Sequence, residues 1–131
     1  MNDNKSLTVT EVFSLAVKNH KENNLDVAQD LYNESLELDP TYVGALNNLG
    51  IISQSLDDIK KAKDYFEKAI EIKPDYAEAQ QNLGYMFVKL GDYQKAKDCF
   101  EKAIKIKPDY VEAYNNLGST LHKLGYTQEA I

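Results

Sequence analysis

AKDYFEKAIEIKPDY (62–76) and AKDCFEKAIKIKPDY (96–110) are one phrase written twice, 34 positions apart, with changes at only two places. Outward from this pair the same step recurs. The only three prolines are Pro40, Pro74 and Pro108, and Leu49-Gly50, Leu83-Gly84 and Leu117-Gly118 keep the same 34-residue spacing. So do Ala62, Ala96 and Ala130, and so do Phe66 and Phe100. A fixed period of this length marks a repeat array rather than one central core. Each unit of such an array buries its apolar face only against its neighbours, and about three units are needed for stability.

Within a unit the spacing predicts two helices. Over 76–90 the apolar residues Ala79, Leu83, Phe87 and Leu90 fall three or four apart. Over 93–106 Tyr93, Ala96, Phe100, Ala103 and Ile104 do the same. Such spacing gathers side chains on one stripe of a helix. Gly91, Gly125, Asn23 and Asp57 stand where the first helix must reverse, and these residue types tolerate the left-handed conformation that ends a helix. Asp58 and Asp92 follow as N-caps. Pro74 and Pro108 stop the second helix, because the residue before proline is pushed out of the helical region. Thr8-Val-Thr-Glu11, Asp75-Tyr-Ala-Glu78 and Asp109-Tyr-Val-Glu112 each resemble a capping box for the next first helix. The small residues Ala16, Gly50, Gly84 and Gly118 are expected to face Ala28, Ala62, Ala96 and Ala130, bringing paired helices close.

These residues resemble the tetratricopeptide repeat family, whose unit is a 34-residue helix–turn–helix with Leu-Gly, then Ala, an aromatic, Ala and Pro. The resemblance implies an all-α fold, a right-handed superhelical α-solenoid of helix–turn–helix repeats with a 34-residue period. It divides the chain into an N-terminal tail (1–8), a divergent repeat 1 (9–42), repeat 2 (43–76), repeat 3 (77–110) and a partial repeat 4 (111–131). Repeat 1 departs from the pattern at Ala16, Asn19 and Ser35. The sequence stops at Ile131, about one turn into a second helix. Either it is a piece of a longer protein, or the helix from Glu112 to Leu124 serves as a cap. An apolar end through Leu117, Leu121 and Leu124 is expected.

Composition narrows the function. The net charge of −6 and pI near 4.9 weigh against a nucleic-acid footprint, which needs clustered Lys and Arg. The start is polar and no stretch approaches a membrane span, so no membrane partner is expected. A single cysteine, Cys99, forms no internal disulfide, and a cytoplasmic setting is the default reading. Cys99 aligns with Leu31 and Tyr65 of other units, so an inert, partly packed thiol is expected. His20 and His122 are three units apart, too far for a shared metal or a two-histidine mechanism. No phosphate loop, zinc spacing or nucleophile elbow is present. No catalytic residue, metal or cofactor is assigned.

One constellation stands out. Asn48, Asn82 and Asn116 precede the Leu-Gly pairs, with Asn47, Gln81 and Asn115 before them. An amide carries both donor and acceptor and can hold a peptide backbone without reading its side chains. The family resemblance implies that first helices line a concave surface, where these asparagines would form a ladder. Rungs about 10 Å apart match three residues of extended chain at about 3.3 Å each. Tyr85, Lys89 and His122 are expected to sample the partner's side chains. The alternative is that these asparagines only satisfy helix–helix contacts.

Arrays that grip the acidic C-terminus of heat-shock chaperones use a clamp of basic groups and asparagine. Those basic positions fall here on Glu78 and Asn82, or on Glu112 and Asn116, and the first lysine falls on Phe13 or Asn47. Carboxylate would face Glu, so no such activity is expected. The Asn-Asn-Leu-Gly wording is more similar to arrays that precede the catalytic domain of O-linked N-acetylglucosamine transferases. Three readings follow: a non-catalytic protein-interaction module holding an extended peptide or partner segment; a scaffold that self-associates through its C-terminal end; and a substrate-presenting arm of a larger transferase.

Overall fold

The computed structural model describes residues 6–125. Regular structure among them is entirely helical: α1 (Val9–Lys21), α2 (Leu25–Leu38), α3 (Val43–Ser55), α4 (Ile59–Ile72), α5 (Ala77–Lys89), α6 (Tyr93–Ile106) and α7 (Val111–Lys123). Each helix packs on the next in sequence, and α5 also touches α7. The molecule is a helical-repeat solenoid. The positions expected at Ala130 and Ile131 lie outside the described residues.

Local chemistry explains the punctuation. The backbone is left-handed at all four inner turns, with φ of 64° at Asn23 and Asp57, 80° at Gly91 and 86° at Gly125. A reversal after each first helix requires that conformation, and only Gly, Asn and Asp adopt it at low cost. Asp58 and Asp92 cap α4 and α6, each accepting a bond from the backbone N–H three residues on, at 3.2 Å. α4 and α6 end two residues before Pro74 and Pro108.

The capping boxes divide. Thr8 and Glu11 form a reciprocal box, at 2.8 and 3.2 Å. Asp75 and Asp109 form none. The N-caps of α5 and α7 are Tyr76 and Tyr110, one residue later, with no side-chain cap bond. Glu78 and Glu112 are thereby released from capping.

The small-residue contact also differs from expectation. A Cβ placed on Gly50 would meet the ring of Phe66 at 2.5 Å, and one on Gly84 the ring of Phe100 at 2.6 Å. Glycine makes room for an aromatic ring from the paired helix. Ala62, Phe66, Leu83, Met86, Phe87, Ala96, Cys99 and Phe100 form the largest buried cluster. Fully burying one such phenylalanine is worth about 1.5–3 kcal/mol. Leu90, expected on the buried stripe, is exposed at the end of α5.

Candidate functional site

Side chains four apart on one helix share a face. On α5 this rule sets Gln81 and Tyr85 together, with Asn82 beside them; on α7 it sets Glu112 with Asn116. These five residues and Gln54 of α3 line one pocket of about 330 Å³, across the first helices of three consecutive repeats. Four of its six lining groups are amides. Glu112 adds a carboxylate and Tyr85 a half-buried ring.

The amides are not equivalent. Asn82 donates through Nδ2 to Oδ1 of Asn47 at 3.2 Å, tying repeat 3 to repeat 2. Asn47 is 5% exposed and Gln81 2% exposed, whereas Asn115 is exposed. By the repeat, Asn116 should link to Gln81 as Asn82 links to Asn47. It does not: Gln81 Oε1 is buried without a hydrogen-bond partner. Glutamine is one methylene longer than asparagine, and the link is lost at this rung. An orphaned buried carbonyl costs about 1–3 kcal/mol.

Asn48 is held differently again. It donates to the hydroxyl of Tyr32 at 3.2 Å, and that hydroxyl also lies 2.9 Å from Nδ1 of His20. Tyr32 is buried where the other units carry Phe66 and Phe100. Burial lowers the pKa of His20 and raises that of Tyr32. The neutral imidazole shares a hydrogen bond with the tyrosine hydroxyl through Nδ1. Asn48 and Asn82 therefore each use one N–H on a contact between helices and keep a second N–H and further acceptor capacity.

Of the other expected contacts, Lys89 is exposed with its ammonium 5.3 Å from the Tyr85 ring centre. Lys123 lies over Tyr93 of α6 at 5.7 Å, turned toward the second-helix layer. His122 is exposed. Val111 and Tyr114, at 69% and 50% exposure, form the open apolar surface of α7, while Leu117, Leu121 and Leu124 are half-buried. Gln54 and Glu112 were not singled out as ligand contacts from the sequence. The signal for Glu112 is its position four residues before Asn116, which sets it on the groove face of α7.

Family models described as tetratricopeptide repeat match residues 43–76 and 65–98, and one described as TPR repeat matches 84–125. The chain belongs to the tetratricopeptide repeat family. Among curated protein sequences none matches it. A crystal structure of MamA superposes with a TM-score of 0.85 at 28% identity, covering 93% of this chain and 71% of that one. The first tetratricopeptide domain of Spaghetti (RPAP3), solved with the HSP90 peptide SRMEEVD, gives 0.86 at 21% identity, covering 92% of this chain and 96% of that one. YrrB, described as having an unusual peptide-binding site, gives 0.84 at 27%, covering 93% and 63%.

Burial perturbs two further titratable groups of this tetratricopeptide array. Burial pushes the Cys99 thiol up to about 12, so it is protonated and unreactive at neutral pH. Tyr110 is pushed up to about 12 by burial and by the carboxylates of Glu112 and Glu78. Among the described residues no group of three or more His, Cys, Asp or Glu is placed to hold a metal ion, and no helix is long and apolar enough to cross a membrane.

Proposed function

We propose that this chain is a non-catalytic protein–protein interaction module. An extended peptide or partner segment docks in the concave groove, its backbone held by Asn48, Asn82 and Asn116. The observation that carries this reading is the pocket spanning α3, α5 and α7, lined by four amides and Tyr85. Such a surface offers paired donors and acceptors and almost no nucleophile, which suits a peptide backbone. The peptide-binding site named for the YrrB structure points the same way. Each backbone bond contributes about 0.5–1.5 kcal/mol net, so micromolar affinity is expected. A buried lone cysteine fits a reducing, cytoplasmic setting.

The acidic peptide held by the Spaghetti domain is not the partner expected here. Glu78 and Glu112 stand where a clamp would need cations, Phe13 stacks on Tyr42 at 4.9 Å, and Asn47 is buried.

The test is binding of the purified chain to an unbiased peptide library, beside an Asn48→Ala, Asn82→Ala, Asn116→Ala triple variant of unchanged helical content. Hits should disappear in the variant. Hits that survive it would sink the ladder mechanism. A second reading, self-association through α7, draws on the exposure of Val111 and Tyr114. It predicts a sedimentation coefficient that rises with concentration, and a strict monomer excludes it.

A further inference from the structure

The pocket between α3, α5 and α7 sits at a rung where the amide link seen between Asn47 and Asn82 is not repeated. Where Asn47 and Asn82 satisfy each other, Gln81 Oε1 has no partner, and Gln81 and Asn116 both line the opening. Glu112 lines it too, is exposed, and takes part in none of the ion pairs among the described residues. The unmet need here is therefore for donors and for positive charge.

We infer that this pocket takes an arginine side chain of the docked peptide, its guanidinium held by the Glu112 carboxylate and by the carbonyl oxygen of Gln81. The inference rests on the docking reading for the peptide, and on the pocket itself for the chemistry. A guanidinium offers five N–H donors in one rigid plane and no acceptor, so it can serve a carboxylate and an amide oxygen at once. An ammonium has a tighter hydration shell to lose and no planar fork. The terminal torsion of glutamine is broad and two-fold, so the Gln81 oxygen turns toward a donor without rotamer strain. The ring of Tyr85 already has Lys89 over it at 5.3 Å, so Glu112 rather than the ring is the anchor. The net charge of −6 adds long-range attraction for a basic partner.

The probe is N-acetyl-arginine amide, titrated into the isotope-labelled full chain and followed by side-chain amide resonances. Its neutral isostere, N-acetyl-citrulline amide, is the comparison. The arginine probe should shift the amides of Gln81, Asn82 and Asn116 saturably. Citrulline, and the arginine probe on the Glu112→Gln variant, should bind about tenfold more weakly, the scale of one charge-assisted bond lost. Glu78→Gln, one repeat earlier and outside the pocket lining, should weaken binding far less than Glu112→Gln does. Equal response to arginine and citrulline, or no response at Gln81, overturns the inference. Because the probe has no extended backbone, this result is independent of the triple-asparagine experiment. Arginine binding with library hits indifferent to the ladder would keep the pocket and remove the ladder. The opposite pair of results would do the reverse.

Discussion

Tyr32 shows how one atom redirects a repeat. At the equivalent positions Phe66 and Phe100 fill the space beside a glycine; the added hydroxyl of Tyr32 gathers His20 and Asn48 instead. Burial lowers the His20 pKa from its usual 6.5, so the unfolded chain takes up the proton first. The sign follows. The stabilising contribution of neutral His20 is complete above pH 6.5 and is lost as pH falls from there through the lower, folded-state value. The ring resonances of His20 should titrate with a midpoint below 6.5, and unfolding temperature should begin to fall before carboxylates titrate at about pH 4. A His20→Asn variant should lack that early decline. A midpoint at or above the ordinary value would disprove the account.

Elements that are copies in sequence differ in what they tolerate. Gly84 of α5 lies against the Phe100 ring, where a Cβ would sit 2.6 Å from carbon. Gly118 of α7 has no described atom within 4 Å of the same position. Gly84→Ala should therefore destabilise by about 1–3 kcal/mol through overpacking. Gly118→Ala should stabilise by about 0.5–1 kcal/mol, because alanine loses less backbone entropy in a helix. Thermal unfolding of the two variants decides it, and equal shifts would refute the packing argument. The same contrast explains the caps. Asp58 and Asp92 cap as their spacing indicates, whereas Asp75 and Asp109 yield to Tyr76 and Tyr110, whose rings are partly buried.

Over the whole molecule stability should be graded. α3 buries seven residues and α5 eight, while α1 and α7 bury two each. A solenoid has no common core, so each helix is as stable as its neighbours make it. Amide hydrogen exchange should be slowest in α3 to α5 and progressively faster toward α1 and α7. Uniform protection across all seven helices would mean that the array unfolds as a single cooperative block.

Periodicity and residue type determined the helix–turn–helix unit, the left-handed turns at Asn23, Asp57, Gly91 and Gly125, and the proline stops. These depend on residues near in sequence or on a repeat that multiplies a weak local signal. The asparagine positions were legible for the same reason. Tertiary structure alone decided which rung pairs with which. Asn47 meets Asn82 and Gln81 misses Asn116, because a hydrogen bond depends on side-chain reach at the level of a single methylene. It also decided that Glu112 lines a pocket with Gln54, a residue of another helix. A 34-residue period reports that units are alike. The pocket arises where two neighbouring units are not.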